Sequence, residues 1–570
     1  MIRSSVALGI VALLLSSCAS SSLSSNFDKI RLDQCGYLPG SEKMALLAMP
    51  GTDFAVYDSD FKIVYRGKVS DPMYWAEAGD TIRQIVFSDV TTPGEYMIAV
   101  DDSIFSYPFA IADTVYSNAL ASALKAYYYN RASMPIDSVY GGMWARPEGH
   151  PDDSVLVHKS AASAMRPEGT VLSLPGGWYD AGDYNKYIVN SSITTYTLML
   201  AAHLYPEVAK ELTVNIPESG NGLPDLVNET LYNLRWMLTM QDPNDGGVYH
   251  KLTTLSFEGF IMPADCHKTR YVVSKSTAAA LDLAATAAFA SRTLPAVSES
   301  LKPLADSCRE VALKAYAWAE KNPNVIFNNP QDVSTGEYGD GDLNDEWLWA
   351  STEMFLTFGD DKYQAEAQKH KGDYGVPSWG SVGTLAYYSM LADDCCVAGF
   401  DPMKTVGSIA DSLLDIEVKS PVDLSLIDYD WGSNSYIANN GMLKLIMAKY
   451  SSSKADKLKA SAQNDLHYIL GRNAVGYSFV TGVGSNPAMH IHHRPSAADG
   501  IYAPVPGFLA GGPNTIVPTD CGPESGRSNY PAAAYADQEC SYSTNEVAIN
   551  WNAPLVFLLM GVSEELIEHK

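Results

Sequence analysis

Positive charge is scarce in this chain: 39 Lys and Arg stand against 66 Asp and Glu in 570 residues, a formal net charge of −27. Such a surface repels nucleic acid and anionic lipid alike, which excludes phosphate-backbone binding and favours a neutral partner. Charged residues of both signs together reach only 18%. Cysteine is thin as well. The seven beyond Cys18 (Cys35, Cys266, Cys308, Cys395, Cys396, Cys521 and Cys540) are odd in number and scattered, so they form no disulfide framework, and no CxxC pair marks a metal ribbon. Cys521 and Cys540 flank one loop, and their spacing leaves both a bridge and two free thiols open. The apolar run at the start, Val6 to Leu15, is too short to span a bilayer.

What the chain has instead is bulk and rings. At 46% hydrophobic it can bury a large core, enough for two domains. Its 34 Tyr and 10 Trp suit stacking on the flat apolar faces of sugars.

Arg3, the Val6–Leu15 run and the tetrad LSSC (Leu15 to Cys18) have the layout of an export signal, and LSSC resembles a bacterial lipobox. That resemblance implies a signal peptide over 1–17, acylation of Cys18 and a lipid anchor in place of a membrane helix. Ala19 after the cysteine implies the outer membrane of a bacterial cell envelope. Ser20 to Ser25 then reads as part of a flexible Ser-rich tether over 18–26.

From 27 to 112 short β-rich runs such as KMALLAM, FAVYDSD and TIRQIVFSDV are broken by Gly, Pro and Asp, which predicts a small antiparallel sandwich. After Asp113 the texture changes to helical periods. At least eleven segments, among them YIVNSSITTYTLMLAAHLY and PLADSCREVALKAYAWAEK, are apolar along one side or all round, so 113–570 is predicted mainly α. The connections Tyr140–Pro175 and Ser496–Cys540 are too long for helical hairpins and are expected to wall a cleft.

The densest stretch is GGWYDAGDYNKYI, Gly176 to Ile188. Asp180 and Asp183 lie three residues apart, so if Asp183 opens a helix their carboxylates share a face, and like charges that close raise one proton affinity into the range of a usable base. A plain turn, capped by Asp180 with glycines at positive φ, accounts for the same letters. Far along the chain, YADQECSYSTNEVAINWNAPL sets Glu546 at the head of an apolar helix, behind Asp537 and Tyr542.

These two segments, with SFVTGVGSNPAMHIHHR between them, resemble the three active-site motifs of glycoside hydrolase family 9, the inverting cellulases. The matches are D-A-G-D at Asp180 to Asp183, H-x-R at His492 to Arg494, and the spaced set Tyr535, Asp537, Tyr542 and Glu546. The opening IRLDQCGYLP resembles the immunoglobulin-like module that precedes many such catalytic domains. The resemblance implies an (α/α)6 barrel behind an immunoglobulin-like sandwich, the latter expected as a packing support. It implies Glu546 as general acid, Asp183 as base and Asp180 as its partner on the water, with His492, Arg494 and Tyr542 on sugar hydroxyls. Trp178, Trp379 and Trp431 are candidate stacking platforms.

No cofactor is needed for this chemistry, but family members often bind structural calcium. Here the loop GDGDLNDE offers Asp340, Asp342, Asp345 and Glu346 as hard oxygen ligands, while Gly380 and Ser381 stand where some relatives supply an aspartate. Some relatives hold zinc near the first motif; Ala132 and Gly149 replace the expected cysteines and only His150 remains, which argues against zinc. The expected substrate is a β-1,4-glucan (cellulose, mixed-linkage glucan or xyloglucan), cut internally by a monomer. Exo-action on short β-glucosides or glucosaminides, and a barrel that binds glycan without catalysis, are the alternatives.

Overall fold

The computed structural model describes residues 27–523 and 526–564. The expected signal segment, the tether and Cys18 lie outside the described residues.

Residues 27–111 fold as two facing sheets. One orders Ile30–Arg31, Met44–Leu47, Asp80–Val86 and Met73–Trp75; the other orders Gly36–Tyr37, Phe109–Ile111, Gly94–Val100, Asp53–Asp58 and Ile63–Lys68. Alternation drives this pairing. In Asp80–Val86, for instance, Ile82 and Ile85 face inward, and they join different cores. Ile85 packs with Ile30, Val56, Phe87 and Ile98 inside the sandwich, whereas Ile82, Leu46 and Trp75 continue into the core of the following domain.

That domain is built from twelve long helices in alternating roles. The outer set is α1 (Ser117–Tyr129), α3 (Asp225–Thr239), α5 (Lys302–Lys321), α7 (Asp361–Lys369), α9 (Pro402–Glu417) and α11 (Ala455–Ile469). The inner set is α2 (Ile188–Leu204), α4 (Thr277–Val297), α6 (Asn344–Phe358), α8 (Gly383–Ala392), α10 (Ser433–Tyr450) and α12 (Ile549–Ser563). Sequence decides which is which. Along α5 the buried residues Ala305, Cys308, Ala312, Ala315, Tyr316, Trp318 and Ala319 fall on one side, as a helix with one wet face requires. In α12, INWNAPLVFLLMGVS is buried along nearly its whole length, which only a helix enclosed by others can be. Neighbouring inner helices touch in the order α2, α4, α6, α8, with α9 bridging α8 to α10; then α10 meets α12 and α12 returns to α2. Six inner and six outer helices thus close an (α/α)6 barrel. Each fully buried Leu, Ile or Phe on that ring contributes about 1.5–3 kcal/mol.

Because each inner helix is followed by an outer one that returns, the inner helices run parallel and their N-termini gather at one end. The chain segments entering α2, α6, α8, α10 and α12 carry Asp180 and Asp183, Tyr338, Trp379, Trp431, and Glu546 respectively. One barrel end therefore receives the candidate residues, in the positive ends of the helix dipoles.

A small sheet lies across this end, ordered Val171–Leu172, Val155–Val157, Tyr271–Val272, Lys251–Thr253 and Lys186–Tyr187. Its strands are two or three residues long, too short to leave an alternation signal in sequence. They nevertheless fix the Tyr140–Pro175 connection, whose Asp152 is held in the interior by Lys186 at 2.7 Å and Arg270 at 2.9 Å. They also correct the expected helix start. Tyr187 pairs with Lys251 and Lys186 with Leu252, so α2 begins only at Ile188 and Asp183 sits in the preceding loop.

The sandwich is joined to the barrel by polar contacts as well as by Trp75. Asp33 receives His467 Nδ1 at 2.8 Å and the Tyr116 hydroxyl at 3.1 Å, and Gln34 donates to Gly476 O at 2.9 Å. Cys521 and Cys540 are disulfide-bonded, closing the loop that leads into the third motif. No described helix is long and apolar enough to cross a membrane.

Candidate active site

The loop 180–187 is folded by its own side chains. Asp183 Oδ2 accepts from the backbone and side-chain amides of Asn185 and, at 3.2 Å, from the Tyr187 hydroxyl. Asn185 is anchored in turn by Thr253 Oγ1 and Thr254 N, both donating at 3.0 Å. Asp180 is gripped from two other directions: Asn190 Nδ2 donates to both its oxygens, at 2.9 and 3.1 Å, and the Tyr338 hydroxyl donates to Oδ2 at 2.8 Å. Both aspartates are buried.

The third motif is stitched onto the first. Ile549 N donates to Asp180 O at 2.8 Å, and Glu546 lies in extended backbone bridged to His492. Glu546 thus precedes α12 instead of opening it. Gly182 shows how tight the seam is, since a Cβ there would lie 2.2 Å from His492 O and 3.2 Å from Glu546 Oε1. Only glycine lets the two motifs meet. Asp537 acts as a strut, accepting from Met489 N, His490 N and Asn545 Nδ2.

Three acids so enclosed cannot all be ionised. Burial, followed by the charge of Asp183, pushes Glu546 up to about 8, against the opposing pull of Arg494 and the Gly182 amide. Burial and the same charge push Asp180 up to about 8 as well, opposed by Asn190 and Tyr338. A proton donor and an ionisable partner are therefore side by side at neutral pH, which is what general acid–base work on one bond requires.

Beside Glu546 opens a cavity of about 490 Å³ whose wall includes Tyr338, Trp379, Trp431, Tyr436 and Trp551. Trp379 packs edge-on to Tyr338 with ring centres 5.1 Å apart, and Trp431 lies 5.6 Å from Tyr542; both Trp431 and Tyr542 are 36% exposed. Trp178 does not join them. It is fully buried, packs on Tyr127 at 4.5 Å and donates its Nε1–H to Glu229 at 2.8 Å, so the expectation of a sugar platform there is corrected to a core role. The glycines before it carry the chain inward, and sequence alone could not tell an inward Trp from an outward one.

His492 is half-buried and is kept from protonation chiefly by burial. Its Nδ1 donates to Glu539 O at 2.7 Å, which leaves Nε2 as the acceptor nitrogen. Arg494 is more committed than expected: Nη1 donates to Gly182 O at 2.6 Å and Nε to Glu258 O at 2.9 Å, so most of its guanidinium clamps two loops together. Sequence reasoning missed Tyr338, Tyr187, Asn185 and Asn190. Tyr338 lies inside the segment TGEYGDGDLNDE, where the acids are the stronger signal and its ring carries none.

Those acids behave differently from the calcium set that the sequence leads one to expect. Asp342 is exposed and accepts from Asn344 N and Nδ2. Asp345 accepts from Val382 N at 2.6 Å, and the buried Glu346 leaves Oε2 without a partner. The third carboxyl is one that sequence reasoning missed, Asp282 on α4, buried with neither oxygen partnered. Burial first, then Asp345, holds the Asp282 carboxyl well above its ordinary range, and burial first, then Asp282, does the same to Glu346. Among the described residues no group of three or more His, Cys, Asp or Glu side chains is placed so that it could hold a metal ion. The donor chemistry nonetheless fits a hard cation, and Asp282, Asp345 and Glu346 are the groups that would hold it. The zinc position does not fit: His150 Nδ1 bonds the Tyr179 hydroxyl at 2.8 Å, and a Cβ on Gly149 would meet Pro263 at 2.3 Å.

Buried carboxyls with raised proton affinity, set beside an aromatic cleft on a helical barrel, are what a glycoside hydrolase needs. Comparison with known proteins agrees. The model for glycosyl hydrolase family 9 matches residues 116–559, and that for the cellulase N-terminal ig-like domain matches residues 26–104. The chain is 41% identical over 574 residues to the xyloglucan-specific endo-beta-1,4-glucanase BoGH9A of Bacteroides ovatus, covering 96% of each. It is 33% identical over 548 residues to endoglucanase D of Acetivibrio thermocellus, covering 94% of this chain and 83% of that one. The solved structure of a Bacteroides ovatus GH9 protein superimposes with a TM-score of 0.87 at 39% identity, over 94% of this chain and 99% of the other. The chain belongs to glycosyl hydrolase family 9 and is a glycoside hydrolase of the endo-β-1,4-glucanase type, whose chemistry calls for carboxyl groups and no cofactor.

Proposed function

We propose that the chain is an inverting endo-glucanase whose preferred substrate is xyloglucan. Glu546 donates a proton to the leaving oxygen, Asp183 takes one from the attacking water, and Asp180 holds that water in place. The observation that carries this reading is the split within one acid cluster: burial first, and the Asp183 charge second, keep Glu546 and Asp180 protonated up to about 8. Tyr338 and Asn190 fix Asp180, and Asn185 and Tyr187 fix Asp183, so the pair is held before substrate arrives. His492 Nε2 and Tyr542 meet sugar hydroxyls, with Trp379 and Trp431 beneath sugar faces.

Internal cleavage is favoured because, among the described residues, none lining the cavity comes from the Tyr140–Pro175 connection that would close an exo-acting pocket. Xyloglucan is favoured by the named activity of the Bacteroides ovatus relative. Chromatography of early products from xyloglucan, mixed-linkage glucan and carboxymethyl cellulose tests both points. A ladder of oligosaccharides, released fastest from xyloglucan, is expected; release of one mono- or disaccharide overturns endo-action, and a preference for unbranched glucan overturns the substrate.

The LSSC tetrad, with Ala19 after it, supports placement of the enzyme on the outer membrane through acylated Cys18. Cys18→Ala then moves the protein from the membrane fraction to the soluble one, and soluble wild-type protein overturns the anchor.

A further inference from the structure

The rings of the cleft do not stop at the catalytic acid. Trp431 lies 5.6 Å from Tyr542, Tyr542 lies 6.1 Å from His492, and His492 meets Phe260 edge-on at 5.1 Å. Next comes the Arg494 guanidinium, 5.4 Å from the rings of both Phe260 and Phe257. A row of rings thus runs from the Trp379–Trp431 cavity, past Glu546, onto the loop 255–268.

On that loop three large apolar side chains face water: Phe257 is 41% exposed, Phe260 39% and Ile261 37%. A contiguous exposed apolar patch is a cost to a monomer and calls for an occupant. Nor is the loop slack. Arg494 Nε binds Glu258 O, the Tyr184 hydroxyl binds Ile261 O at 2.7 Å, and Lys268 Nζ binds Phe257 O at 2.5 Å. Of those three donors Arg494 belongs to the second catalytic motif and Tyr184 directly follows the first, so the patch is built into the frame of the active site. Rings held in place beforehand bind without the entropy cost of ordering them.

We propose that Phe257, Phe260 and Ile261 form a second binding wall, which takes the stretch of the glucan chain on the far side of the scissile bond from the Trp379–Trp431 cavity. The occupant follows from continuity. A polysaccharide that fills the cavity and is cut at Glu546 must leave along the other side, and there the His492–Arg494 seam presents these three residues. Sugar C–H faces, of the backbone or of branches, are the complement of exposed phenyl rings. The proposal rests on the glucanase reading above.

The test compares chain lengths. Wild type, Phe257→Ala and Phe257→Ala/Phe260→Ala are assayed for kcat/KM on cellotriose, on cellohexaose and on polymeric xyloglucan. Phe257→Ala is the cleaner variant, because its ring contact is the Arg494 guanidinium, which backbone carbonyls hold independently. The expected result is a loss of about tenfold on cellohexaose and xyloglucan, as for one aromatic side chain that covers substrate, with a several-fold smaller loss on cellotriose. End-labelled cellohexaose is expected to show a changed position of cleavage. Equal losses on all three substrates, which a purely structural role would give, overturn the proposal; so does no loss at all. Wild-type protein inactive on every glucan would instead overturn the substrate class, a separate outcome.

Discussion

Tyr338 donates its hydroxyl to Asp180 Oδ2 across 2.8 Å, from a loop that enters α6, while Asp180 itself precedes α2. Tyr338 does so from a backbone φ of 47°, a left-handed conformation that is strained for a bulky residue. Strain of that kind persists where surrounding structure enforces it, here the Trp379 and Tyr187 rings at 5.1 and 4.7 Å.

Removing only that hydroxyl isolates its effect. Tyr338→Phe is expected to lower kcat by about tenfold to a hundredfold while KM changes little, since the lost bond orients a reacting group and leaves sugar contacts alone. Steady-state kinetics on soluble xyloglucan measure the split. A rise in KM with kcat preserved would reassign Tyr338 to binding.

Glu546→Gln and Asp183→Asn each keep volume and hydrogen bonding but end proton transfer. Both are expected to cost about a thousandfold or more in kcat with ordinary circular dichroism and unchanged affinity for oligosaccharide by calorimetry. Near wild-type turnover in either variant would remove it from the mechanism.

The raised proton affinity of Glu546 gives two linked expectations. Activity requires its protonated form, so kcat/KM should fall as pH rises through about 8. Stability has the same sign: the folded-state value lies above the ordinary value of 4.5, so the folded protein binds more protons and loses stability as pH climbs from about 4.5 to about 8. Glu546→Gln escapes that loss. Its melting temperature should exceed that of wild type at pH 8 and converge with it near pH 4.5; a gap that stays constant with pH would show that ionisation of Glu546 is not what destabilises the wild type.

Much of the fold was legible because its signals are periodic: the apolar-all-round segments became inner helices and the striped ones, such as α5, became outer helices. The three motifs were legible because acids and glycines at fixed spacing have few other uses. Tyr338 and Asp282 were not, for opposite reasons. Tyr338 is one tyrosine among 34, placed by a strained turn that leaves no mark in composition. Asp282 sits in the Ala-rich helix α4, where only tertiary packing brings it to Asp345 and Glu346. Trp178 failed in the other direction, since a Trp beside catalytic acids reads as a platform until its burial is known.

Asp282 also yields a stability test. Its unpartnered oxygens and those of Glu346 are the kind of orphaned buried groups that a cation or a proton must satisfy. Adding calcium at pH 7.5 is expected to raise the melting temperature by a few degrees, EDTA to reverse this, and Asp282→Asn to abolish the response. In calcium-free protein the raised proton affinities act instead, so stability should fall as pH rises, and less so in Asp282→Asn. A wild-type melting temperature indifferent to calcium would leave protons as the partner of these acids.

Stereochemistry tests the division of labour between Glu546 and Asp183 without relying on loss of function. Asp183 is held in a loop by Asn185 and Tyr187, and Glu546 comes from extended backbone on the other side of Gly182. If Asp183 activates water across the sugar ring from the acid, the bond is broken by a single displacement, and a β-1,4 linkage must first yield an α hemiacetal. A retaining enzyme needs its carboxyls only about 5–5.5 Å apart so that one can attack carbon, whereas inversion needs roughly 6.5–9.5 Å to admit water. Asn185 and Tyr187 hold Asp183 Oδ2 and leave Oδ1 to accept from water. Proton NMR of the anomeric signals during the first minutes of hydrolysis, before mutarotation, is expected to show the α form. Early β product would make Asp183 or Asp180 a nucleophile and overturn the water-activating role of both.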